Sequence, residues 1–161
     1  MSANKFDPHL LVIPEDDANR QIMTGFKNHL KVNSSRIQVE RVAGGWIKAL
    51  ETFASDHIAG MNKYNKRHIL IMIDFDGHIE RFQSAQRYIP ANLRDRVFVL
   101  GCLSEPENVR SVTGMTKEEL GEALAEACIG GEGDWWCSEI LAHNEAELER
   151  MKLKICPHLG A

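Results

Sequence analysis

Acidic side chains follow two apolar runs of the chain that have the character of buried strands. Glu15, Asp16 and Asp17 come directly after LLVIP, and Asp74 and Asp76 lie at the end of HILIMID and just beyond it. Alternate side chains of an extended segment point to one side, so Asp74 and Asp76 share a side. If the two runs form neighbouring parallel strands, Glu15 lies within reach of both aspartates. Three convergent carboxylates repel one another, and a divalent cation such as Mg²⁺ or Mn²⁺ would neutralise them.

The same acids have a plainer explanation. A single Asp or Glu at a strand end commonly caps the next helix or faces water. The two interpretations differ in the distance between the carboxylates of Glu15 and Asp74, which is short only if the first and third strands are neighbours.

Further groups near these strand ends are candidates for an extended site. Asp16, Asp17, Glu105 and Glu107 could complete a two-metal centre, although solvation in loops explains each of them as well. His78 follows the second acidic motif, and contact with a phosphate, proton transfer and a structural role are all open to it.

Apolar patterning predicts the elements that would position these groups. Strands are predicted at 10–14, 36–42, 68–74 and 96–103, and helices at about 17–30, 46–64, 79–88, 117–128 and 135–152. Thr116, with Glu119 three residues on, is predicted to cap the fourth helix. This alternation indicates an α/β fold with a three-layer, Rossmann-like architecture, in which a mainly parallel four-stranded sheet is flanked by helices. Ligands of such sheets bind at the carboxyl ends of the strands.

Composition limits the class of protein. With 161 residues, 43% hydrophobic and 26% charged, the chain is predicted to form one domain over 1–161. The net charge of −4 gives no global attraction to nucleic acid or anionic lipid, so a local patch or a metal must hold any phosphate-bearing partner. The chain has no apolar run of about 20 residues and no secretory signal pattern, which favours a cytoplasmic protein. The four scattered cysteines form no CxxC pair, and we expect reduced, mostly buried thiols.

A glutamate after the first strand, followed much later by a strand that ends in Asp-x-Asp, resembles the TOPRIM domain of topoisomerases, primases and OLD-type nucleases. The resemblance covers roughly 10–107, which would form the core, with 108–161 as a C-terminal helical extension. It implies that Glu15, Asp74 and Asp76 bind Mg²⁺ and support phosphodiester cleavage or transfer, with Glu15 also acting as general acid or base. Family members often carry a glycine where this chain has Asp16, and neither tyrosine is placed as a topoisomerase nucleophile would be. A small nuclease or nuclease subunit, acting on nucleic acid alone or with an ATPase or other protein partner, is therefore expected.

Three other classes stay open. IDFDGHI resembles the first motif of haloacid-dehalogenase-type phosphatases, with Asp74 as nucleophile and Asp76 as acid/base. The acids after the first strand also resemble those of a response-regulator receiver, with Asp16 and Asp17 holding Mg²⁺ and Asp74 accepting phosphate. A non-catalytic interaction module would use Trp135 and Trp136.

Nucleic-acid contacts would come from basic residues in the middle third of the chain. Lys66, Arg67 and Arg81 are predicted to make such contacts, from a set of basic residues that also includes Lys63, Arg87, Arg94 and Arg96. They matter to a nuclease only if they cluster near the acidic edge.

Overall fold

The computed structural model describes residues 3–75, 77–101, 114–130 and 144–161. The strands are β1 (His9–Pro14), β2 (Ile37–Val39), β3 (Arg67–Met72) and β4 (Val97–Leu100). The helices are α1 (Asp17–Lys27), α2 (Trp46–Thr52), α3 (Ile58–Lys63), α4 (Glu80–Arg87), α5 (Lys117–Ala125) and α6 (Glu145–Lys154). Within the described ranges, no helix has both the length and the apolar character needed to cross a bilayer.

The four strands form one sheet in the order β2-β1-β3-β4, and each neighbouring pair is parallel. Pro14 at the end of β1 lies in register with Met72 at the end of β3. The predicted α/β class with a flanked parallel sheet is therefore confirmed, and the first and third strands are neighbours.

Side chains that alternate along the strands supply two separate cores. Leu10, Val12 and Leu70 face a cluster that includes Met23 and Phe26 of α1. α5, α6 and the C-terminal residues contribute to the same cluster. Residues of opposite parity on the strands face α2, α3 and α4. Helices on both faces of the sheet give the three layers, and every residue of β1 is buried because both of its faces are covered.

Several element boundaries differ from the prediction. β2 spans three residues rather than seven, yet the chain continues alongside β1, because the amide of Glu40 donates to the carbonyl of Val12. The predicted helix over 46–64 has a π-helical turn at Phe53–His57, which separates α2 from α3. Thr116 and Glu119 form the predicted capping box. The last helix was predicted to start at 135 and the fourth strand to end at 103. Both of these boundaries lie outside the described residues.

α1 and α5 pack closely enough that their backbones touch. A Cβ atom on Gly25 would lie 2.1 Å from the carbonyl oxygen of Glu118, and one on Gly121 would lie 1.8 Å from that of Ile22. Only the hydrogen of glycine fits at both contacts. The contact fixes the position of α1, which begins at the acidic loop.

The cysteine prediction was wrong for two of the four residues. Cys128, in the turn that ends α5, and Cys156, just after α6, form a disulfide with their Cα atoms 5.5 Å apart. They are 28 residues apart in the sequence and become neighbours only through the packing of the C-terminal residues. No local spacing pattern therefore predicted the disulfide. Cys102 and Cys137 lie outside the described residues.

Candidate metal centre

The main chain brings Glu15 and Asp74 together at the carboxyl edge of the sheet. The amide of Glu15 donates to the carbonyl of Met72 at 2.8 Å, which extends the pairing of β1 and β3 by one residue. The amide of Asp74 then donates to Oε2 of Glu15 at 2.6 Å. The predicted proximity of these two acids is present, and it follows from the adjacency of the two strands.

Asp16 is the third acid that the structure places at this edge. One carboxylate oxygen from each of Glu15, Asp16 and Asp74 lies within 4.8 Å of the other two, and all three residues are half-buried. Asp16 is also the N-cap of α1, because its Oδ1 accepts from the amide of Asn19 at 3.0 Å. The capping and metal-binding explanations therefore both apply to this residue. Asp76, for which the sequence predicted a metal-binding role, lies outside the described residues.

Asn19 contacts two of these acids, Asp16 and Asp74, and its role was not predicted from the sequence. Its side chain is fully buried, and its Nδ2 donates to Oδ1 of Asp16 at 3.1 Å and to Oδ1 of Asp74 at 3.0 Å. Its own Oδ1 is buried without a hydrogen-bond partner in the described part of the chain. An asparagine in the first turn of a helix, three residues after an N-cap aspartate, is the local signal that could have pointed to it.

Asp74 has the most perturbed ionisation of the cluster. Burial is the largest cause, and together with the nearby carboxylates of Asp16 and Glu15 it raises the pKa of Asp74 to about 8, against the opposing hydrogen bond from Asn19. Without a cation, the fold therefore favours the protonated form of Asp74. A divalent cation would supply the positive charge that this arrangement lacks, and three carboxylate ligands suit Mg²⁺ or Mn²⁺. The residues present thus fit such an ion.

Arg81 lies at the rim of this cluster. Its Nη1 donates to the carbonyl oxygen of Asp74 at 2.8 Å, and its guanidinium lies 4.7 Å from the ring centroid of Trp46. A cation–π contact of this kind holds the guanidinium in one place. Of the three basic residues proposed for nucleic-acid contact, Arg81 is the one at the acidic edge.

The remaining predicted residues lie elsewhere. Asp17 is largely exposed and pairs with Arg20, so it does not join the cluster. The side chain of His78 is 59% exposed and lies beside Glu80, with 3.1 Å between Nδ1 and Oε1. Arg67 is the first residue of β3 and Lys66 directly precedes it. Both therefore lie at the amino end of this strand, whereas Asp74 follows its carboxyl end. Glu105 and Glu107 lie outside the described residues.

Comparison with protein-family models, curated proteins and solved structures finds no match to this chain. The TOPRIM resemblance therefore stays a prediction from the order of residues in the sequence.

Proposed function

We propose that this protein carries out Mg²⁺- or Mn²⁺-dependent hydrolysis of phosphodiester bonds in nucleic acid. The observation that carries the proposal is the convergence of Glu15, Asp16 and Asp74 at the carboxyl ends of two adjacent parallel strands. Such edges are the usual ligand sites of α/β sheets. Asp16 joins Glu15 and Asp74 in the proposed ligand set, and Asp76 stays a predicted ligand by resemblance.

The chain's own groups have separable roles in this proposal. Asp16 and Asp74 would hold the cation together with Glu15, and the buried amide of Asn19 would orient the carboxylates of Asp16 and Asp74. Glu15, fixed by the amide of Asp74, is the candidate to take a proton from the attacking water. Arg81 lies where a guanidinium could approach a substrate phosphate. When bound, the cation would polarise a phosphoryl oxygen and lower the pKa of a water.

The test is incubation with plasmid, single-stranded DNA and RNA in Mg²⁺ or Mn²⁺. We expect cutting that EDTA stops and that Asp74→Asn reduces by at least about 100-fold, since this change removes a ligand charge. Asp17→Asn is the matched control, because Asp17 is outside the cluster, and it should cut at the wild-type rate. Cutting that persists in EDTA or in Asp74→Asn would contradict the proposal.

A receiver-like phosphoacceptor is the second candidate, and the strand order favours it. Order β2-β1-β3-β4 is shared with flavodoxin-like receivers, whose acids lie at the ends of the first and third strands, as Asp16 and Asp74 do here. It ranks second because α6, rather than a fifth strand, covers the outer edge of β4 in the described part of the chain. Incubation with acetyl phosphate and intact-mass measurement separates the two, since a stable added phosphoryl group on Asp74 would support the receiver.

The phosphatase and interaction-module alternatives stay predictions, because Asp76, Trp135 and Trp136 lie outside the described residues. An ATPase or other protein partner is likewise a prediction. The cytoplasmic location stays a prediction from the sequence, and the disulfide between Cys128 and Cys156 is of a kind that is rare in that compartment.

A further inference from the structure

Three cations surround one aromatic ring at the amino edge of the sheet. The Nζ atoms of Lys5 and Lys63 lie 5.3 and 5.4 Å from the ring centroid of Tyr64, and Cζ of Arg67 lies 5.0 Å from it. Phe6 meets the same ring edge-on at 6.1 Å between centroids and is 75% exposed. We name these five residues, Lys5, Phe6, Lys63, Tyr64 and Arg67, the basic aromatic patch.

The patch carries positive charge that no direct ion pair neutralises, although Glu40 acts on the charge of Arg67 from a greater distance. Within the described ranges, no carboxylate forms a salt bridge with any of its three cations. Nε of Arg67 instead contacts Nε2 of His9 at 3.0 Å. Although partial desolvation opposes the shift, the charges of Lys5 and Lys63 lower the pKa of Tyr64. A local positive field of this kind is unexpected in a chain with a net charge of −4.

We propose that the basic aromatic patch binds single-stranded nucleic acid. Exposed rings stack on unpaired bases while neighbouring cations contact phosphates. Phe6 is the exposed ring of the patch, and half-buried Tyr64 supports it edge-on and gathers the three cations. A duplex keeps its bases stacked inside, so it would use the cations but not Phe6 and Tyr64. An acidic polypeptide would likewise leave the rings without a stacking partner.

This inference rests on the proposed function for its choice of nucleic acid as the ligand. β3 separates the patch from the acidic cluster, and its six residues span about 20 Å. The patch would therefore hold a part of the strand remote from the reacting phosphate. Lys66, which is exposed next to Arg67, lies on this side of the molecule as well.

The test measures, by fluorescence anisotropy, the binding of a labelled oligothymidylate of about 15 nucleotides. EDTA is present to remove the divalent cation, so that binding is measured without cleavage. Phe6→Leu should weaken binding about 10-fold through loss of stacking, whereas Phe6→Tyr should stay within about 2-fold of wild type. In the double variant Lys5→Gln/Lys63→Gln, the slope of log affinity against log salt should become shallower by about 1.4, from about 0.7 per phosphate contact. Lys154→Gln, at an exposed lysine of α6, is the matched control and should change neither quantity.

Circular dichroism and melting temperature should show that every variant is folded. Wild-type affinity and salt slope in the patch variants would overturn the inference, as would patch-dependent binding of polyglutamate without binding of oligothymidylate. If cleavage depends on Asp74 but the patch variants bind normally, this inference fails alone. If the patch binds but nothing is cut, only the proposed function fails.

Discussion

At the scale of single residues, Asp74 links folding to cation binding. Its carboxyl is half-buried between Asn19, Asp16 and Glu15, and it is the group whose ionisation the fold opposes most clearly among the described residues of the site. The buried amide of Asn19 favours the charged form, but burial and the two neighbouring acids outweigh it. A bound cation would reverse that balance, because it favours the carboxylate.

The pKa of Asp74 predicts how stability depends on pH when divalent cations are removed. In the unfolded chain this carboxyl titrates near 4, and in the folded chain it titrates near 8. Between these values the folded state binds the additional proton, so the free energy of unfolding falls as pH rises from about 4 to about 8. Allowing for solvent screening of a half-buried group, we expect a loss on the order of 2 kcal/mol.

Urea unfolding in EDTA at pH 5, 6.5 and 8.5 checks this prediction, with Asp74→Asn as the comparison. The variant has no carboxyl to titrate at this position, so the pH-dependent difference between the two proteins reports on Asp74. Parallel pH profiles for wild type and variant would count against the raised pKa. Mg²⁺ should restore stability more at pH 8.5 than at pH 5, since it competes with the proton.

Asn19 predicts a second residue-scale effect. Asn19→Ala removes the two donor contacts that orient Asp16 and Asp74, and partners of this kind typically contribute 10- to 100-fold to metal affinity. We expect Mn²⁺ affinity, measured by isothermal titration, to fall by about that factor. Asn62→Ala, at an exposed asparagine bonded to Asn92, is the control and should bind Mn²⁺ as wild type does. Unchanged affinity in Asn19→Ala would mean that the carboxylates are held without its amide.

At the scale of elements, α6 covers the outer edge of the sheet with polar side chains. Asn144 accepts from the amide of Gly101 at 3.1 Å and donates to its carbonyl at 2.8 Å, as a neighbouring strand would. Glu147 accepts from the amide of Val99 at 3.0 Å and pairs with Arg150, which donates to the carbonyl of Val97. Edge strands left open tend to pair with other chains, and this helix prevents that at β4.

Glu147 is the side chain on which this edge contact depends most. It is buried, and Glu147→Ala would leave the amide of Val99 unpaired and Arg150 without its carboxylate. We expect a loss of about 2–4 kcal/mol in the free energy of unfolding, measured with urea. Glu149→Ala, which removes only an exposed ion pair with Lys152, should cost less than about 0.5 kcal/mol. A loss in Glu147→Ala as small as that in Glu149→Ala would show that the contacts of Glu147 with the edge of β4 contribute little to stability.

At the scale of the whole molecule, the disulfide ties the C-terminal residues to the core. It joins the turn after α5 to the turn after α6, and both half-cystines are buried in the cluster that also packs α1. An isolated antiparallel β-bridge pairs Val32 with Gly160 near the C-terminus. The C-terminal residues are thus held both covalently and by packing.

Reduction should lower the stability of the whole fold. Opening a crosslink between residues 28 apart is expected to cost about 3.5 kcal/mol through the added freedom of the unfolded chain. Urea unfolding with and without dithiothreitol measures the cost, and the double variant Cys128→Ala/Cys156→Ala should be insensitive to the reductant. Four titratable thiols in the unreduced, denatured protein would show instead that the bond is not formed in solution.

Local patterning by itself determined the element types and the α/β class. The five consecutive apolar residues at 69–73, four of them in β3, indicated a strand covered on both faces, and the Thr116 capping box followed from side-chain chemistry within one turn. The order of strands and helices likewise placed Glu15 and Asp74 at one edge, because parallel strands end on the same side. The element types and the cap depend on neighbours close in the chain, so local propensity and periodicity can specify them. That β1 and β3 are adjacent was a condition of the site prediction, which the sheet order met.

Contacts between residues distant in the chain were decided only by the tertiary structure. The sequence could not show that the buried amide of Asn19 bridges Asp16 and Asp74, that Arg81 contacts the site, or that Cys128 meets Cys156. Each of these depends on how helices pack on the sheet, and packing is set by shape complementarity over the whole core rather than by any local pattern.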